Sequence, residues 1–327
     1  MEQEKKKIKI GFIHDSQNVF LKGRHFDNTY FHFFMEAIRQ HERLEVIDVV
    51  SDEILDLRKI DEKFDAILLW ENSEFGMPKD IVGIDNLDIP VIAKAGDPNR
   101  AKSSIKFHRQ WKIDHYFHYF PEQLFHSLYP EKFNFTSIKF GIEEKLFKNV
   151  KPFNERIKNQ ILNSGAVGNK KIISRIINTI RNPKWNSYRY YYLRTKCNEL
   201  SYVAYTPTLS HEYVGDNYWK LLEKYAGAIA ATSLETTIKY WEIPAAGCLT
   251  FMEITKENFG EYLGFIDGET AIFINKNNYK EKFGEFLSDP ENLRWKKIAN
   301  AGQTYALNNF NNHKATDSLV KLIENII

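Results

Sequence analysis

Cysteine is scarce in this 327-residue chain, and no apolar run approaches membrane length. Two cysteines, Cys197 and Cys248, cannot build the disulfide framework of a small secreted scaffold, and they suit a reducing compartment. The longest apolar runs, residues 66–70 and 226–231, fall far short of the ~20 residues of a membrane helix. The segment MEQEKKKIKIGFIHDS is charged and then strand-like, with no apolar signal core, so a cytoplasmic location is expected. Low-complexity tracts and short-period repeats are absent, which excludes a solenoid. What the chain does have is 43% hydrophobic, 27% charged and 14% aromatic residues, the composition of a folded protein rather than a disordered one. Its length fits two domains better than one.

The net charge of +2 hides an asymmetry. Residues 1–150 carry 22 basic and 25 acidic side chains, whereas residues 151–327 carry 23 basic and 18 acidic. Residues 156–196 hold ten Lys/Arg and no Asp or Glu. A tract of that kind calls for an anionic partner or a solvated face.

Short apolar runs recur along the first half at 8–13, 46–50, 66–70, 91–93 and 135–140, with charged or helical stretches between them. Such runs suit strands buried on both faces of a parallel sheet. The polar, Pro-containing stretch 148–154 (KNVKPFN), where the charge balance changes, predicts a domain boundary. The pattern then restarts. A strand at 160–163 is expected, then the turn SGAVGN and a helix over 170–181 with isoleucines at 172, 173, 176, 177 and 180 on one stripe. Further strands are expected at 201–205, 227–231, 249–252 and 271–274, and a helical tail over 290–310 and 313–327. The fold class predicted is α/β: two Rossmann-like domains, 1–150 and 151–327, facing a cleft, with helices at the C-terminus. Ligands of such sheets sit at the carboxyl ends of the strands.

The loop Gly165-Ala-Val-Gly-Asn-Lys-Lys joins a strand to a helix. Its glycines permit close backbone approach, and a helix N-terminus favours an anion. It matches neither G-x-G-x-x-G nor a Walker loop, so a plain tight turn is an equal reading until the cations beside it are weighed. Lys170, Lys171 and Arg175 tilt it towards phosphate, with Arg175 off the isoleucine stripe. In ETTIKYWEIPAAG, a helix places Lys239 and Glu242 on one face. The bland reading is a surface Lys–Glu pair. Small residues around it and Pro244 point instead to a carboxylate placed for a vicinal diol and an ammonium placed for a diphosphate.

The run KYWEIPAAGCLTF, the Gly268-Glu269 pair of FIDGETAIFI and SDPENLRWKKIANAGQTYAL together resemble the donor domain of GT-B glycosyltransferases. The match is nearest to the group-1, CgeB-like branch. Lys239, Glu242, Ala245 and Gly247 match its first motif, Gly268 and Glu269 the second, and Asp289, Pro290 and Gly302 the third. The resemblance covers roughly 160–310 and is architectural over 1–150. It implies that Glu242 holds the ribose of a nucleotide sugar and that Lys239 and Arg175 meet the phosphates. Gly165 and Thr237 are expected to complete the donor site. Many retaining members place a second Glu eight residues before the first-named one; Leu234 stands there, with Glu235 next to it.

On the N-terminal side, the loop 17–28 borders the acceptor in that fold. His25 reads either as a base or as an ordinary surface histidine, and Asp97 either as a group facing the cleft or as a helix cap. His108, His115, His118 and His126 lie within nineteen residues, but no Cys or acidic cluster is spaced to complete a metal site. The aromatics among them suit a sheet edge, or a surface touching a lipid-linked acceptor. No Asp-x-Asp occurs, although metal-dependent GT-A enzymes use one. The expectation is a metal-independent, retaining glycosyltransferase with no cofactor. It takes a nucleotide sugar and a glycan or lipid-linked acceptor, and it makes peripheral membrane contact without binding nucleic acid. Two alternatives stand beside it. The basic, aromatic stretch 181–196 (RNPKWNSYRYYYLRTK) would suit a non-catalytic nucleic-acid or anionic-surface binder, and an epimerase of the same fold would need no acceptor.

Overall fold

Strands that are apolar throughout must be covered on both faces, and the chain meets this need twice. A computed structural model describes residues 6–16, 28–71, 76–169, 171–181, 183, 186–207 and 217–327, without the side chains of 28–31, 99 and 103. Two units divide it: Met1–Phe140 with Asn312–Ile327, and Gly141–Asn311. The expected boundary at 150 therefore moves to Phe140/Gly141.

The first unit holds β1 (Ile8–His14), β2 (Leu44–Val50), β3 (Ile54–Asp56), β4 (Ala66–Leu69), β5 (Asp80–Val82), β6 (Val91–Lys94), β7 (His115–His118) and β8 (Asn134–Ser137). Six of these form one parallel sheet in the order β2-β1-β4-β6-β7-β8, while β3 and β5 pair separately. Every residue of β4 and β6 is buried, as a two-sided sheet requires. The helices are α1 (Asn28–Gln40), α2 (Ala101–Gln110) and α3 (Glu122–Leu128). Phe34 of α1 stacks on Phe140 with ring centroids 4.3 Å apart.

The second unit holds β9 (Ile157–Ser164), β10 (Val203–Thr206), β11 (Tyr225–Ala230), β12 (Leu249–Glu253) and β13 (Ile272–Ile274). They form a parallel sheet in the order β10-β9-β11-β12-β13. Its helices are α4 (Ile172–Arg181), α5 (Ser187–Tyr190), α6 (Tyr192–Cys197), α7 (Tyr218–Leu222), α8 (Lys239–Ala245), α9 (Tyr279–Ser288) and α10 (Leu293–Asn309). The core joins Ile161, Leu193, Ile229, Phe251, Phe283, Phe286 and Trp295. From β9 the chain passes to β10 on one side and then to β11 on the other. That reversal of strand order puts a topological switch point at the carboxyl ends of β9 and β11, where ligands of open α/β sheets bind.

The last helix, α11 (Asn312–Glu324), belongs to the first unit rather than to the second. His41 pairs with Asp317 at 3.0 Å and Arg43 with Glu324 at 2.6 Å. Leu319, Val320, Leu322 and Ile323 supply the buried face of α11 that composition alone could not assign to a unit.

The helix expected over 170–181 forms, but its stripe is turned outwards: no residue of α4 is buried. The half-buried positions are Ser174, Arg175 and Asn178, on the side opposite the isoleucines. Periodicity locates a stripe without saying what it faces; here α6 supplies Leu193 and Cys197 to the core. No helix among the described residues is long and apolar enough to cross a membrane.

Gly302, inside α10, lies against the turn after Gly268, and a Cβ there would overlap the carbonyl oxygen of Thr270. A backbone atom cannot swing aside as a side chain can. Gly302→Ala is expected to cost about 1–3 kcal/mol, read as a lower melting temperature. An unchanged melt would mean that α10 does not sit this close.

Candidate functional site

At the end of β9, Gly165 adopts φ +95°, a conformation that disfavours side chains. Space gives a second reason for glycine. A Cβ at this position would stand 2.8 Å from Nη2 of Arg194 and 2.9 Å from Cε of Lys239, whose Nζ is 3.3 Å away. Two cationic side chains thus converge on one buried turn of backbone.

Each cation meets neutral groups of the second unit. The Arg194 guanidinium, on α6, is 2% exposed and donates to the Ser164 carbonyl and, at 3.3 Å, to Oδ1 of Asn163. The Asn163 side chain in turn donates to the Arg194 carbonyl at 3.0 Å. Burial lowers the Arg194 pKa, yet a guanidinium stays protonated at neutral pH. Lys239 donates to the Tyr218 hydroxyl at 2.8 Å and lies 3.5 Å from Oγ of Ser164. Tyr218 and Ser164 also bond each other. Burial, and then the charge of Glu242, pushes the Tyr218 phenol up, so it stays neutral. A buried guanidinium and a half-buried ammonium thus bring two positive charges to one point beside Gly165.

The loop before α8 is pinned from below. Tyr240 accepts from the Thr232 amide at 3.0 Å and donates to the Glu253 carbonyl at 2.9 Å, while Asn258 ties the Thr232 and Glu253 carbonyls at 2.9 and 2.7 Å. Trp241 stacks on Phe310 with centroids 4.8 Å apart and planes 4° apart. Pro244 lies in the last turn of α8, Gln303 caps the Ala245 carbonyl at 3.0 Å, and Gly247 leaves the helix at φ +74°. These contacts place Glu242 on the buried side, 6% exposed, one turn from Lys239. Thr237 is half-buried in the same loop. Glu235 accepts from the Tyr190 hydroxyl at 2.7 Å, which fixes its carboxylate.

Two expectations for this loop change. The guanidinium at Gly165 is that of Arg194; Arg175 stacks on Tyr188, its guanidinium carbon 3.4 Å from the ring centre. The helix following Gly165 begins only at Ile172, and Gly168 is required by packing, since a Cβ would stand 2.5 Å from Cα of Tyr188. Lys170 lies outside the described residues. The basic-aromatic stretch 181–196 is folded rather than displayed where it meets the core: Tyr190, Leu193, Arg194 and Thr195 are buried.

In the first unit, His25 lies outside the described residues. Asp97 is exposed at the start of a short 3-10 turn, with its carbonyl accepting from the Arg100 amide at 2.8 Å and no cap bond from its side chain. Nearby is a pair that the sequence reading missed. Lys94, fully buried at the end of β6, forms an ion pair with Glu71, just after β4. Burial pushes the Glu71 carboxyl up to about 7; Lys94 pulls it back, and Asp97 adds to the rise. His118, at the end of β7, is buried with Nδ1 unpaired, and burial together with Lys94 drives its pKa well down. Glu71, ending the apolar run AILLW, was the signal to read: a charge at the carboxyl end of a central strand.

The other histidines are dispersed. His108 stacks on Phe133 at 3.6 Å, His115 meets Oγ1 of Thr136 at 2.9 Å, and His126 lies 3.6 Å from Glu122. Among the described residues no group of three or more His, Cys, Asp or Glu is placed to hold a metal ion.

No protein-family model matches the chain, and no curated protein matches it in sequence. Solved structures do match along nearly the whole length. HepE of Anabaena, in complex with UDP and glucose, is 8% identical with a TM-score of 0.55, over 97% of this chain and 100% of that one. Sucrose-phosphate synthase of Thermosynechococcus elongatus is 9% identical with a TM-score of 0.57, over 98% and 99%. An α-glucosyltransferase in complex with UDP-glucose and DNA is 10% identical with a TM-score of 0.57, over 97% and 100%. At these identities the likeness is one of fold: the chain has the GT-B fold of two Rossmann-like units.

Proposed function

We propose that the chain is a glycosyltransferase that moves a sugar from a nucleoside-diphosphate sugar to a hydroxyl acceptor, with retention and without an obligatory metal. The observation that carries this reading is the convergence of Arg194 and Lys239 on Gly165 at the topological switch of the second sheet. As the anomeric C–O bond breaks, its electron pair passes to the diphosphate. On this reading a rigid guanidinium fork and an ammonium would face that charge, and preorganised cations need no reorganisation as the bond breaks. Glu242, acceptor-only when ionised, would take the two ribose hydroxyls and so fix the sugar's position. UDP in the fold neighbours HepE and the α-glucosyltransferase supports a UDP-sugar as the first donor to try. The acceptor is proposed to be a glycan or a lipid-linked hydroxyl, with Asp97 and His25 on the acceptor side.

The test is thermal. A UDP-sugar at a hundred times its dissociation constant is expected to add about 2.7 kcal/mol of stability, and Glu242→Gln is expected to abolish that shift while melting close to wild type without ligand. Should no UDP-, GDP-, ADP-, CMP- or dTDP-sugar move the melting temperature, the donor site is not one.

A further inference from the structure

We propose that α4 is a membrane-surface helix that lays its isoleucine face on an anionic lipid bilayer. Ile172, Ile173, Ile176, Ile177 and Ile180 are 70, 74, 55, 43 and 76% exposed, all on one side of a ten-residue helix. Five isoleucines in one exposed stripe exceed the scattered apolar residues of an ordinary surface. The polar side is what anchors the helix to the protein: Ser174, Arg175 and Asn178 are half-buried, and Arg175 is stacked on Tyr188. The helix is therefore held with its apolar face outwards, not left there by fraying of a core contact.

Charge selects the occupant. Lys171 and Arg181, both exposed, stand at the two ends of the helix, and no acidic residue occurs from 156 to 196. A second copy packed on this face would bring like charges together, which opposes a symmetric dimer. Isoleucines offer nucleic acid neither stacking nor hydrogen bonds, so a strand would gain nothing from the stripe. An anionic bilayer satisfies both halves at once, taking the isoleucines into the acyl boundary and the cations among the headgroups. At ~1.5 Å per residue the helix is about 15 Å long, half the hydrocarbon thickness, so it lies in the plane of the surface and does not span it.

This inference does not rest on the donor-site reading, and its test leaves that reading untouched. The full chain is sedimented with vesicles of phosphatidylcholine alone or of phosphatidylcholine and phosphatidylglycerol in equal parts, at low and high salt. The expected result is at least about tenfold tighter binding to the anionic vesicles, weakened by salt. Ile173→Glu/Ile176→Glu should bind them about a hundredfold less tightly, with an unchanged melting temperature because both positions are exposed. Equal sedimentation of the variant and wild type would overturn the proposal, as would failure of wild type to bind either vesicle. A wild-type dimer in size-exclusion chromatography that the variant converts to monomer would assign the face to a second copy and equally overturn it. A UDP-sugar thermal shift on the same preparations reports the donor site separately.

Discussion

Lys239→Met is expected to lower kcat for sugar transfer by about 10²–10³-fold while the protein stays folded. The ammonium is half-buried and donates to the Tyr218 hydroxyl, a neutral group that can turn to another partner. Arg194→Lys keeps one positive charge but loses the planar fork that reaches both the Ser164 carbonyl and Asn163, and a fall of similar size is expected. Because both cations bear on the same point beside Gly165, the double variant should lose less than the product of the two single losses. The measurement is steady-state turnover with the nucleotide sugar that gives the largest thermal shift, alongside melting curves. Wild-type turnover in Lys239→Met would remove the assignment of this site to the diphosphate.

The second large effect concerns stability. Lys94→Met leaves the buried Glu71 carboxyl without its counter-charge, a change that costs about 3–5 kcal/mol when the acid is ionised. The direction with pH follows from the raised value of about 7 in the fold against the ordinary 4.5 of a free glutamate. Between these two the folded protein keeps a proton that the unfolded chain has released, so stability falls as pH rises through that window. Removing Lys94 takes away the influence that lowers the Glu71 pKa, which extends the window upwards. The variant should therefore melt far below wild type at pH 8 and much closer to it at pH 5. An equal deficit at both pH values would mean that the pair is not responsible.

The strands were largely legible because burial on both faces forces short apolar runs such as AILL and VIAK into the sequence. The spacing of Lys239 and Glu242 was legible for a local reason, since one helical turn fixes both directions. Arg194 was not legible. It reaches Gly165 from α6 through a tertiary path that no spacing encodes, and it sits in a tract that reads equally well as a solvated charge run. Arg175 fitted the pattern better and lies elsewhere, because the chain between Gly165 and α4 is used to pack Gly168 against α5. The isoleucine stripe exposes the same limit from the other side: a period of 3.6 tells which residues share a face, and only the neighbours decide whether that face is covered. The unit boundary was misplaced for a related reason. Polar composition marks 148–154, but the contacts change at Phe140, where the Phe34 stack ends the first unit.

The return of α11 to the first unit has a consequence for how the protein is made. A ribosome delivers residues 1–140 first, yet the helix that covers α1 emerges only after the whole of 141–311. At roughly 5–20 residues per second, the early half waits on the order of ten to thirty seconds with that flank bare. The middle of the chain can complete its own sheet meanwhile. The unit begun first is therefore finished last, and a premature stop within α11 would damage the part of the protein translated earliest.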